Sequence, residues 1–255
     1  MKIVIDTVAQ TLTEVNGAAE NTVGLFSKEA FETLSLAWVR VGWSLQYYHN
    51  FTWFGLPVLQ FPEDLLRLQE VIYALRPAVI VETGVYQGGS LLFHASLLEA
   101  IGGGKVIGID REIPKQTRDA LGSHPLGRRI SLLGGDSTDP KIVEQVKSLI
   151  ESASPVLVIL DSGHTREHVA RELECYAPLV TEGSYIVATD GIMKDLADVP
   201  RALPEWKSDN PFEAANEFAA RHPEFRQQQP PWPSQQGVLA ENVTYWPGAW
   251  LKRLG

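Results

Sequence analysis

Apolar residues in this chain gather into short runs separated by stretches of helical spacing, and that alternation predicts an α/β fold. Ala78-Val-Ile-Val81, Lys105 to Asp110, Ile130 to Leu133, Pro155 to Asp161 and Ser184 to Asp190 read as strands, their apolar runs those of strands covered on both faces. Between them, Leu91, Leu92, Ala95, Leu97 and Leu98 recur at helical spacing, and helical patterns also span Pro140 to Ile150, Glu167 to Tyr176 and Asp209 to Phe218, with a short one at Thr117 to Leu121. Pro62 to Leu75 reads as an amphipathic helix that starts at a proline and stops before Pro77. Strand, turn and helix in repetition predict a mainly parallel, doubly wound, Rossmann-like sheet. The two ends differ in character. Lys28 to Tyr48 predicts a helix with a broad apolar face, whereas residues 1 to 27 are weakly periodic, with one short strand at Ile3 to Ile5. The expected division is an N-terminal helical extension over 1–60 and an α/β domain over 61–255. Near the C-terminus, Gln227 to Gln236 reads as a loop or lid, and Val243 to Arg253 as a hairpin about Pro247-Gly248 that gives the sheet an antiparallel edge.

The first strand runs directly into Glu82-Thr83-Gly84-Val-Tyr-Gln-Gly88-Gly89-Ser90. Glycine lacks Cβ and accepts positive φ, so such a turn lets backbone N–H groups and a helix N-terminus approach a ligand. A glycine-rich turn alone is equally compatible with a purely structural bend. The spacing is not the G-x-G-x-x-G of dinucleotide sites, which argues against a nicotinamide enzyme. An acidic residue, one spacer, glycine, three spacers and glycine resembles instead motif I of S-adenosylmethionine (SAM) methyltransferases. The second strand ends in Asp110, a carboxylate placed to accept hydrogen bonds from ribose hydroxyls. After the third strand, Asp136 and Ser137 are placed either to meet an adenine or to cap the helix beginning near Asp139.

The fourth and fifth strands end in Asp161 and Asp190, on the sheet edge where open α/β folds bind ligands. Asp161-Ser-Gly-His164 then places an imidazole one tight turn beyond a carboxylate. A neutral hydroxyl is a poor nucleophile toward a sulfonium methyl, so a base or a polarising cation is required; His164 suits the first role, and Asp161 with Asp190 the second. His168 and Glu172, one helical turn apart, read as a solvated pair, and His94 as structural. The aromatic segment Tyr47 to Pro57 has the composition of a core, a subunit interface or a pocket wall, and His49 within it is a candidate substrate contact.

Composition narrows the partners. A net charge of -9 over 255 residues gives no basic footprint for nucleic acid or an anionic membrane. The single Cys175 excludes an internal disulfide. With no signal-peptide pattern and no apolar stretch of spanning length, a cytoplasmic protein is the expectation.

Several motifs taken together resemble the cephalosporin hydroxylase and rhamnosyl O-methyltransferase family, from about Tyr47 to Gly255. They are Pro57-Val-Leu-Gln-Phe-Pro-Glu-Asp-Leu, Leu75-Arg-Pro-Ala-Val-Ile-Val-Glu-Thr-Gly, Gly88-Gly-Ser-Leu-Leu-Phe-His-Ala-Ser, Gly104-Lys-Val-Ile-Gly-Ile-Asp, His124-Pro-Leu, Asp161-Ser-Gly-His-Thr and Trp250-Leu-Lys-Arg. The resemblance implies a SAM-dependent methyltransferase fold, a homo-oligomer and a hydroxylated small-molecule acceptor, a sugar or glycoside. It implies Glu82, Thr83, Gly84, Gly88, Ser90, Asp110, Asp136, Ser137 and Asp161 around the cofactor. The Asp161-to-His164 spacing is also similar to that of metal-dependent macrolide sugar O-methyltransferases, which implies Asp161 and Asp190 as Mg²⁺ ligands and His164 as the base. Those enzymes carry a Glu-Asp pair after the fifth strand, where this chain has Thr189 and Asp190; Asp195 is the candidate to compensate. Within the same family, a β-lactam or other tailoring activity and a non-catalytic assembly role are the alternatives.

Overall fold

The computed structural model describes residues 2–234, 236–239 and 241–255. In chain order the elements are β1 (Lys2–Asp6), β2 (Thr11–Asn16), β3 (Ala19–Gly24), α1 (Lys28–Ser44), β4 (Thr52–Trp53), β5 (Leu56–Pro57), α2 (Pro62–Leu75), β6 (Val79–Thr83), α3 (Gly89–Ala100), β7 (Lys105–Asp110), α4 (Lys115–Ser123), β8 (Ile130–Gly134), α5 (Pro140–Ile150), β9 (Val156–Leu160), α6 (Arg166–Tyr176), β10 (Tyr185–Ala188), α7 (Pro211–Arg221), β11 (Phe225–Gln227) and β12 (Trp250–Arg253).

The central sheet has the order β11-β12-β10-β9-β6-β7-β8. Strands β8, β7, β6, β9 and β10 run parallel, while β12 lies antiparallel between β10 and β11. Strand alternation sends successive side chains to opposite faces. Ile80 therefore packs on one face, joining Ile72 of α2 and Leu91, Leu92 and Leu98 of α3. Val79 and Val81 join Val146 of α5, Leu173 of α6 and Phe218 of α7 on the other. Two-sided burial explains why these strands are continuously apolar rather than alternating. The chain leaves β6 toward β7 and β8, then crosses back to β9 on the other side of β6. That reversal opens a crevice at the carboxyl ends of β6 and β9.

Three regions depart from the expectations. Residues 2–24 are not helical: β1, β2 and β3 form a separate antiparallel meander ahead of α1. Gly17, at φ +61, begins the two-residue turn that joins β2 to β3, and Thr13 meets Thr22 across the pair, Oγ1 to Oγ1, at 2.8 Å. Residues 243–246 are not a hairpin strand, because Asp64 on α2 accepts the Thr244 hydroxyl and the Tyr245 N–H (2.8 Å). The antiparallel partners of β12 are β10 and β11 instead. The segment after Gln227 is a strap over α2. Arg67 donates to the carbonyls of Pro230 at 2.7 Å and Pro231 at 3.2 Å, and its guanidinium lies 4.5 Å from the Trp232 ring centroid. Gln235, inside the predicted lid, lies outside the described residues. Among the described residues no helix is long and apolar enough to cross a membrane.

Candidate active site

The crevice at the switch point deepens into a cavity of about 1000 Å³. Its floor is set by one close approach. Gly84 has φ +90, and a Cβ there would lie 2.0 Å from the Asp161 carbonyl oxygen, so the turn after β6 rests directly on the end of β9. Three further lining residues, Leu59, Tyr86 and Asp190, also have left-handed backbone, at φ +50, +45 and +56. Such conformations cost non-glycine residues free energy and gather at functional sites.

One end of the cavity is built from the glycine loop. Gly84, Ser90, Asp110, Asp136, Ser137 and Asp161, six of the nine residues expected around the cofactor, line it. Asp110 knits the loop together: Oδ2 accepts from Val85 N at 2.9 Å and Tyr86 N at 3.1 Å. Asp136 does not cap α5. Asp139 does, accepting from Lys141 N at 2.8 Å, while Asp136 accepts from Thr138 and faces Arg111 at 3.6 Å. These bonds hold the Asp136 carboxyl below its ordinary range. Glu82, Thr83 and Gly88 do not line the cavity. Glu82 shares the parity of Ile80, so it points into the α3 face, where His94 Nε2 lies 3.2 Å from its Oε2. Thr83 is fully buried, and Gly88 packs against Leu121.

The middle of the cavity holds Asp161, His164 and Asp190, which each present a ligand atom within 4.8 Å of the others. His164 Nε2 lies 3.5 Å from Asp190 Oδ2. Asp161 is more deeply placed. Gln60 Nε2 donates to its Oδ2 at 2.7 Å and Thr189 Oγ1 to its Oδ1 at 2.5 Å. Burial, and then the charge of Asp190, push the Asp161 carboxyl well above its ordinary range. Two facing carboxylates whose repulsion already raises one of them form a site that a divalent cation would relieve, and oxygen donors suit a hard cation. Asp195 is tied to Lys194 at 2.6 Å and lies outside the cluster.

Trp43, Tyr48, His49, Met193 and Trp206 also line the cavity, so the segment 47–57 contributes to both core and pocket. Burial and the nearby charge of Asp190 raise the Tyr48 hydroxyl. Trp43 and Trp206 meet edge to face with centroids 5.4 Å apart.

His168 is also not what its spacing suggests. Its partner Glu172 is fully buried, and His168 itself, partly buried, lines the cavity rather than a solvated helix face. Ser162 Oγ lies 2.9 Å from His168 Nε2 and donates to Glu172 Oε1 at 2.7 Å. The bond to Glu172 raises the His168 imidazole above its ordinary range. Sequence reading did not single out Gln60, which touches Asp161, or Trp206, which lines the cavity, and it read His168 as solvated. The signal available for Gln60 was a single amide inside the apolar run Val58-Leu-Gln-Phe61.

Comparison with known proteins supplies the family. The family model "Rhamnosyl O-methyltransferase/CmcI" matches residues 45–254. A rhamnosyl O-methyltransferase of Mycobacterium leprae is 32% identical over 184 residues, 69% of this chain and 76% of that protein. One of Mycobacterium bovis is 29% identical over 187 residues, 69% of this chain and 71% of that one. Among solved structures, apo CmcI-N160 superposes with a TM-score of 0.55 at 24% identity, covering 81% of this chain and 77% of the other. The structure described as cmcI-D160 Mg-SAM gives 0.55 at 23%, covering 81% and 78%. A family match across this whole α/β region, with the carboxylate and glycine positions converging on one cavity, has one conclusion: the chain belongs to the rhamnosyl O-methyltransferase/CmcI family.

Proposed function

We propose that this chain is a SAM-dependent O-methyltransferase acting on a hydroxyl of a sugar, a deoxysugar carried on a glycolipid or natural product. The observation that carries the reading is the Asp161, His164 and Asp190 cluster, which shares one cavity with the glycine loop and lies at the sheet's switch point. The names of the mycobacterial relatives supply the acceptor class.

The cofactor belongs at the glycine-loop end, with Gly84 and Ser90 beside it, Asp110 toward the ribose and Asp136 with Ser137 toward the adenine. Bound there, SAM would supply an electrophilic methyl carbon for the new C–O bond and, as the C–S bond's electron pair goes to sulfur, a neutral thioether leaving group, S-adenosylhomocysteine. His164 takes the proton that the attacking hydroxyl loses. Asp190, 3.5 Å from Nε2, stabilises the imidazolium that results. Mg²⁺ held by Asp161 and Asp190 would supply Lewis-acid stabilisation of the developing alkoxide. The aromatic wall of Trp43, Tyr48 and Trp206 presents apolar faces to the acceptor and shields the transfer from water. A homo-oligomer belongs to the same reading, supported by the exposed Trp38 and Val41 on α1 and Leu45 just beyond it.

The test is methyl transfer from SAM to a simple aryl rhamnoside in the presence of Mg²⁺. His164→Ala is expected to lower turnover by about 10²- to 10⁴-fold, the usual worth of a general base, with SAM affinity essentially retained. Equal losses in turnover and SAM affinity would sink the base assignment.

A further inference from the structure

Asp161 is held from two sides by neutral donors that come from distant parts of the chain. Gln60 lies 101 residues away in sequence and is buried, at 7% exposure. It is delivered by a constrained path. The residue before it, Leu59, is left-handed at φ +50, and the Pro57 carbonyl lies 2.2 Å from where a Cβ on Gly89 would stand. β5 is thus seated on the first turn of α3, and from the segment that follows it the Gln60 amide reaches over to the end of β9. From the other side comes Thr189, fully buried, with Oγ1 2.5 Å from Asp161 Oδ1 and 3.0 Å from the Leu160 carbonyl. A hydroxyl has one hydrogen, and the shorter, charge-assisted bond to the carboxylate takes it.

We infer that Gln60 and Thr189 are positioning residues that clamp Asp161 in the orientation from which it binds a divalent cation. The inference rests on the cation role given above to Asp161. A carboxylate offers about four acceptor positions. The two donors use one on each oxygen, so each oxygen keeps acceptor capacity, and one of them lies within 4.8 Å of ligand atoms of His164 and Asp190. Because both donors are neutral, the cluster keeps two carboxylates, whose formal charge a divalent cation matches. Thr189 therefore serves not as a weak substitute ligand but as a hydrogen-bond donor to the ligand beside it. Without the clamp, the carboxyl is free to turn toward other partners.

The experiment uses the full chain saturated with S-adenosylhomocysteine and titrated with Mn²⁺, followed by electron paramagnetic resonance. Calorimetry of S-adenosylhomocysteine binding runs in parallel. Gln60→Leu and Thr189→Val are each expected to weaken Mn²⁺ binding about 10- to 100-fold, the usual effect of removing a group that orients a metal ligand. S-adenosylhomocysteine affinity stays unchanged, and Thr189→Ser, which keeps the hydroxyl, restores Mn²⁺ binding. Unchanged Mn²⁺ affinity in both variants overturns the inference. So do parallel losses of Mn²⁺ and S-adenosylhomocysteine binding, which would make the two residues merely structural, and so does a wild-type chain that binds no Mn²⁺. A chain that shows the expected Mn²⁺ pattern yet methylates no sugar hydroxyl removes the proposed transfer and leaves the clamp standing.

Discussion

At the scale of single residues, Gly84 shows how covalent geometry sets the site. Its φ of +90 is compatible with glycine, and its missing Cβ is what allows the β6 turn to touch the Asp161 carbonyl. Gly102 has a similar φ of +94 but faces open space. The pair separates the two costs. Gly102→Ala is expected to lose about 1–2 kcal/mol, the left-handed penalty alone, and to bind S-adenosylhomocysteine normally. Gly84→Ala must also push the loop off β9, and is expected to abolish binding. Calorimetry and thermal unfolding of both variants would check this; retained binding in Gly84→Ala would show that the loop can be moved without harm. The residues that sequence reading placed well here, Gly84, Asp110, Asp161, His164 and Asp190, sit at strand ends or one tight turn beyond them, where chain direction fixes the location. Glu82 was legible as the acidic member of a motif but not as a buried partner of His94, because spacing does not say which sheet face a strand's last residues occupy. Gln60 and His168 act through contacts made by distant elements, which local pattern cannot contain.

At the scale of elements, the five parallel strands and the helices between them followed from periodicity, since two-sided burial writes itself into composition. What failed were elements whose stability comes from partners elsewhere. The meander of β1 to β3 is largely exposed, so it lacks an apolar stripe; Asn16-Gly17 was the one strong local signal for its second turn. Residues 243–246 carry strand-like side chains, but Asp64 draws their polar groups to α2. The start of α7 joins an element to the site. Asn210 is fully buried; its Oδ1 accepts from Glu213 N at 3.0 Å and its Nδ2 donates to the Trp206 carbonyl at 2.7 Å. One side chain thus caps α7 and pins the turn that carries Trp206 into the acceptor end. Asn210→Ala is expected to cost about 1–2 kcal/mol for the lost cap, read by urea denaturation, and to raise the acceptor KM more than it lowers kcat. A change in kcat alone would show that the turn does not position the acceptor wall.

At the scale of the whole molecule, the buried carboxyls decide how stability follows pH. Asp64, 2% exposed, is pushed by burial from 3.8 to about 8, against the lowering effect of its bonds to Thr244 and Tyr245. Asp161 is raised in the same direction. A group whose native pKa lies above its unfolded value keeps its proton on folding, so the native state binds more protons than the unfolded chain throughout that window. The contribution is full below about pH 4 and is lost progressively as pH rises toward about 8. One proton retained in this way tilts the unfolding free energy by about 1.4 kcal/mol per pH unit. The lowered carboxyls of Glu99, Asp198 and Glu224 have the opposite sign, but they are largely exposed, and solvent weakens their effect. The net charge of -9 at pH 7 adds repulsion in the same sense as Asp64. Stability measured by denaturant titration is therefore expected to fall between pH 5 and pH 8. Asp64→Asn, a neutral stand-in for the protonated acid, should give a shallower slope, so that the variant gains on the wild type as pH rises. Parallel slopes for the two would mean that Asp64 is ionised in the native state, and that α2 is tied to the segment leading into β12 by a carboxylate rather than by a carboxylic acid.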